Sequence, residues 1–170
     1  MQIPQSDILS TNAMNRVFDT TTATYKFYWL LALLDMHVKE QKDEMLALDV
    51  AAQMVAYAWY PTQYFRLSFG KGDSMSKIIP DVALLTGITV DDRLEDKSEA
   101  ISNAISEDRE VKKRVRILLN NVTFRFQKPW IDTTDDSEMQ RRSKSFEKDC
   151  LYSLTGSGER LTVTINPRWS

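Results

Sequence analysis

Residues 23–40 contain no glycine and no proline, and Leu, Ala and aromatic side chains recur through them at the spacing of a helix. A run of this kind needs a partner surface, so it commits the chain to helix-on-helix packing. The pattern returns in residues 45–60, where Leu48, Ala51, Ala52, Val55, Ala56 and Trp59 share one face. Pro61 then removes a backbone donor, and the helix is expected to end or bend there. Residues 10–18 carry Ala13, Met14, Val17 and Phe18 on one face with Ser10 as the cap, and the threonines at 20–22 suit the cap of the next helix. Residues 74–86 predict a further helix in spite of Pro80, with Gly87 placed for a left-handed cap. An acidic connection at 91–95 leads to residues 98–120, whose narrow apolar stripe (Ile101, Ile105, Val111, Val115, Leu118, Leu119) fits one long or two short amphipathic helices.

The period changes after residue 120. Val122 to Phe126 alternates apolar with polar side chains and predicts a half-buried strand. Ser137 with Gln140 three positions on has the form of a capping box opening a short helix. Residues 151–155 and 160–165 have strand composition around Gly156, Ser157 and Gly158, the turn chemistry of a β-hairpin. The expected fold is mainly α: a helical part over residues 1–120, and a strand, short helix and β-hairpin over 121–170 packed on it as one domain.

Several chemistries are excluded by residue supply. With one histidine, His37, and one cysteine, Cys150, the chain cannot build a paired histidine or cysteine metal site or a disulfide of its own. His37 reads as a surface residue, and Cys150 as a small buried apolar one. No signal-like N-terminus is present, and the longest apolar run, residues 27–34, is far below the roughly 20 residues of a spanning helix. The expectation is a cytoplasmic protein with no membrane contact, no metal, no cofactor and no catalytic residue in this chain.

Pro80 and Asp81, with Glu95, Asp96 and Lys97 further on, match the letters of a pattern used by metal-dependent nucleases. That chemistry needs a central strand, whereas these residues lie in a helix and a polar linker, so the match is read as accidental. Lys71 sits between two glycines without the spacing of a phosphate-binding loop, and the acidic residues of 132–138 lack the ligand alternation of a calcium loop.

The formal net charge is -2, so anion binding has to come from a local patch. Lys112, Lys113, Arg114 and Arg116 form the one dense basic run on a helix, with Arg66 and Lys71 near the glycine loop as further contacts. These six are the expected phosphate contacts to DNA. Asp108 four residues before Lys112 and Glu110 four before Arg114 are expected to pair within the helix. Tyr60, Tyr64 and Phe69 form the competing expectation, a surface for a protein partner or for dimerisation.

Thr21-Thr-Ala-Thr-Tyr-Lys-Phe-Tyr-Trp-Leu-Leu-Ala-Leu-Leu-Asp35 and Ala58-Trp-Tyr-Pro-Thr-Gln-Tyr-Phe-Arg-Leu-Ser-Phe-Gly-Lys-Gly-Asp73 resemble the N-terminal region of bacterial proteins that carry an HNH endonuclease domain near their C-terminus. Thr123 to Trp130 and the terminal hairpin fit the same region more weakly. The His-containing metal motif of that family is not in this chain, so the resemblance carries over no catalytic residue. It implies an accessory domain that places a C-terminal nuclease domain on its target or partner.

Overall fold

The computed structural model describes residues 11–19, 25–67 and 74–169, with the side chain of Asn121 excepted. The expected caps at Ser10 and Thr20–Thr22, and the contact residues Phe69 and Lys71, lie outside the described residues.

Helix α1 (Thr11–Arg16) leads to α2 (Tyr25–Val38), a short strand β1 (Glu44–Leu46) and α3 (Ala47–Gln63). Then come α4 (Met75–Thr86), α5 (Leu94–Glu107), α6 (Arg109–Arg125) and α7 (Asp136–Arg142), and finally strands β2 (Tyr152–Thr155) and β3 (Thr162–Ile165). The architecture is mainly helical with a small antiparallel sheet, as the sequence pattern predicts. None of the helices among the described residues is long and apolar enough to cross a membrane.

Helix α3 is the axis of the core. It is buried nearly all round, and α2, α4, α5 and α6 pack against it. Its alanines at 47, 51, 52, 56 and 58 let those neighbours approach closely, while Val50, Met54, Val55 and Trp59 fill the space between them. Each large apolar side chain fully buried here contributes about 1.5–3 kcal/mol. Pro61 does not end α3, which runs on to Gln63. Just beyond it the chain turns: the amide of Leu67 reaches the Pro61 carbonyl at 3.1 Å, and Arg66 has φ 52. That is a left-handed helix stop in which an arginine stands where glycine is usual.

The sheet order is β1-β3-β2, so a strand from the first third of the chain pairs with one near its end. Met45 and Leu154 both lie opposite Val163, and all three face the core. Trp29 on α2 donates to the Tyr152 hydroxyl at 3.1 Å, which donates to the Thr123 carbonyl at 2.5 Å, joining α2, β2 and α6 by one buried relay. The turn between β2 and β3 requires Gly156, whose φ is +71 and where a Cβ would come within 2.2 Å of the Arg160 carbonyl oxygen.

Two local expectations are overturned. Residues 122–125 are the last turn of α6 and Phe126 is its cap, so this segment is not a strand. Val111, Val115, Leu118, Val122 and Phe126 continue one buried helical stripe, and the Thr123 hydroxyl is satisfied by the Leu119 carbonyl at 2.9 Å within the helix. The cap of α7 is Asp135, not Ser137: its carboxylate accepts from the amides of Ser137 at 2.7 Å and Glu138 at 3.3 Å, and a carboxylate at a helix N-terminus also meets the helix dipole. Of the two forms expected for the 98–120 stripe it takes the second, two helices, with α5 starting earlier than expected, at Leu94, and Asp108 at the junction.

Candidate nucleic-acid interface

The basic run divides over α6. At about 100° per residue, Arg109, Lys112, Lys113 and Arg116 fall on one outer face, and Arg114 lies roughly 160° around from Arg116. The first four, with Ile117 and Asn120, line a cleft of about 420 Å³ closed on its far side by Glu159 of the hairpin loop. Arg114 is instead turned toward α4, where its guanidinium meets the Asp81 carboxylate at 3.1 Å. Arg109 was not among the expected contacts; its spacing of three, four and seven residues from Lys112, Lys113 and Arg116 is the signal that places it there.

The expected intrahelical ion pairs do not form. Asp108 accepts from the amides of Glu110 at 2.7 Å and Val111 at 3.3 Å, so its carboxylate caps α6 instead of holding Lys112. Lys112 reaches Glu159 at 3.3 Å across the cleft, and Glu110 stands 3.8 Å from Lys113 instead of bonding Arg114. Arg109 and Arg116 have no ion-pair partner among the described residues. The cleft therefore carries four cations against one facing carboxylate, and two of those cations are uncompensated.

The other basic residues do not extend this face uniformly. Arg125 is held by Asp136 at 2.6 Å, and Arg142 by Glu138 and Glu147, whose carboxyl the guanidinium pulls below its ordinary range. Lys128 lines a separate hollow with Arg16 and Lys26. Burial, and then the neighbouring Lys128, lowers the Lys26 ammonium's pKa. Arg66 is remote from the α6 cleft in its contacts and lines a shallow hollow with Thr62, Gln63, Leu67, Ser76 and Pro80.

Tyr60 and Tyr64 are exposed at 45% and 61%, stacked at 4.9 Å between ring centroids, with Phe65 set edge-on to both. Trp29 and Trp59, by contrast, are core residues with no exposure.

The remaining chemistry-bearing residues have structural contacts. Lys97 is buried, and its ammonium donates to the Val90 carbonyl at 2.9 Å and to the Asp92 carbonyl, tying the preceding loop to α5. Asp81 is engaged by Arg114, so the nuclease-like letters do not describe one site. Among the described residues, no group of three His, Cys, Asp or Glu side chains is placed to hold a metal ion. Cys150 is buried, its thiol donates toward the Tyr152 carbonyl at 3.3 Å, and burial pushes its pKa up to about 12. His37 is not a free surface residue: its Nδ1 lies 3.2 Å from both the Lys42 carbonyl and Asp43. The apolar hollow beside it, lined by Met14, Leu33, Leu34, Leu151, Ile165 and Trp169, offers no hydroxyl or thiol for such a pair to activate.

Comparison with family models, curated proteins and solved structures returns no match for this chain.

Proposed function

We propose that this chain is a non-catalytic recognition domain that contacts DNA through the cleft between α6 and the hairpin loop. The observation that carries this reading is the convergence of Arg109, Lys112, Lys113 and Arg116 on one concave face, with Arg109 and Arg116 left without an acidic partner among the described residues. Cations held in this way exchange counterions for phosphates, the main source of affinity for a nucleic-acid backbone. The likeness of residues 21–35 and 58–73 to the N-terminal regions of HNH endonuclease proteins supports the same role, placing a nuclease carried on another segment.

The test compares two arginines on one helix. By fluorescence anisotropy with labelled DNA, Arg116→Ala weakens binding about tenfold, since a charge-assisted contact contributes about 1.5–3 kcal/mol. Arg114→Ala, which only frees Asp81, changes it less than about twofold. Equal losses in both variants would refute the cleft as the contact surface.

A second reading, association with a protein partner, is favoured by the exposed rings of Tyr60, Tyr64 and Phe65. Under that reading, replacing Tyr60 and Tyr64 by Ser abolishes a dimer or complex seen by light scattering, and a wild-type chain that is monomeric at all concentrations removes it.

A further inference from the structure

The basic cleft does not end at Asn120. That residue also lines an adjoining hollow of about 310 Å³ between α6, α7 and the β2–β3 turn. Gly158 of the turn borders this second hollow while its neighbour Glu159 borders the first. The Arg116 guanidinium stands where the two meet, 4.0 Å from the position a Cβ would take at Gly158.

The two hollows differ in chemistry. The first is walled by cations. The second has an apolar floor of Leu119, Phe124, Leu154 and Leu161, and its rim carries the side chains of Asn120, Gln140 and Lys144. All three rim residues are exposed, and none spends its side chain on a hydrogen bond or ion pair among the described residues. An apolar floor with a few convergent polar groups is the make-up of a small-molecule or base pocket. Two carboxamides are also the side chains that match the paired donor and acceptor edge of a nucleobase.

A ligand that matches both hollows is anionic at one end and carries an apolar-faced, hydrogen-bonding ring at the other. We infer that the hollow lined by Asn120, Gln140 and Lys144 receives an unstacked base of single-stranded DNA whose phosphates lie on Arg116, Lys112 and Lys113. Bases within a duplex are stacked and paired, so their faces cannot enter a hollow of this kind; those of a single strand can splay into it. The inference rests on the cleft reading above and adds to it a preference for single strands.

The test uses the whole chain and three labelled probes at one salt concentration: a single strand of about 12 nucleotides, its duplex, and an abasic strand of the same length. The single strand is expected to bind about tenfold tighter than either of the other two, in line with one seated base. Gln140→Ala, in the second hollow alone, weakens the single strand about fivefold and leaves the duplex unchanged, with native circular dichroism, because its side chain makes no bond among the described residues. Equal affinity for single strand and abasic strand, or no effect of Gln140→Ala on the single strand, overturns the inference. If Arg116→Ala still weakens every probe in that event, the cleft stands and the base pocket alone fails. Absence of binding to all three probes overturns both.

Discussion

Helices α3 and α6 have the same length, 17 residues, and opposite surroundings. Around α3 almost every direction is occupied by protein, and its alanines and buried apolar side chains serve packing. Helix α6 buries the stripe Val111, Val115, Leu118, Val122 and turns Arg109, Lys112, Lys113 and Arg116 outward. The contrast separates what makes the fold from what is available for a partner. A change on α3 is expected to act on stability, and a change on the outer face of α6 on binding alone.

The largest effect tests the first half of that statement. Val55→Asp places a carboxylate with no partner at the centre of the core, a penalty of several kcal/mol that is comparable with the whole stability of a domain. Cooperative thermal unfolding, followed by circular dichroism, should be lost; a folded variant would mean that α3 is not the axis of the core. Next, replacing Lys112, Lys113 and Arg116 together by Ala should lower DNA affinity about a hundredfold or more, while stability shifts by no more than about 0.5 kcal/mol. A large fall in stability would place these residues with α3, on the structural side.

Lys97→Met sharpens the comparison from α5, since a nuclease lysine would be open to solvent and this one is spent on loop carbonyls. Leaving those carbonyls unpaired should cost about 1–3 kcal/mol in chemical denaturation without changing DNA binding. The smallest effect is a gain. Glu159→Gln removes the one carboxylate in the cleft, and should raise DNA affinity about threefold at low salt, fading as salt is added.

Much of the fold was legible because burial imposes a period. Residues 25–38, 47–63 and 75–86 carried enough apolar residues at helical spacing to be read as helices, and Gly87, with φ 70, caps α4 as its position suggested. Where a segment was short, several structures fitted it. Val122 to Phe126 alternates over five residues, too few to separate a strand from the end of a helix, and its true period shows only when read onward from Val111. Strand β1 left no mark of its own, because three residues become a strand only by pairing with Thr162, Val163 and Thr164 far along the chain. Asp135 outcompeted Ser137 as a cap because the helix begins two residues earlier than the capping-box letters implied. In the candidate site, the basic run is visible in the sequence, and the angle that separates Arg114 from Arg116 is present in the numbering. The acid that holds Arg114 comes from α4, and the Glu159 that faces Lys112 comes from the hairpin, so both pairings needed the tertiary structure.

The most direct measurement of the central claim is the salt dependence of DNA binding by the wild-type chain and by the Lys112, Lys113 and Arg116 triple alanine variant. Plotting log Kd against log salt, the account predicts a steep wild-type dependence and a slope smaller by about two to three units in the variant, one for each phosphate contact removed. A wild-type affinity that does not respond to salt, or parallel lines for the two proteins, would contradict it.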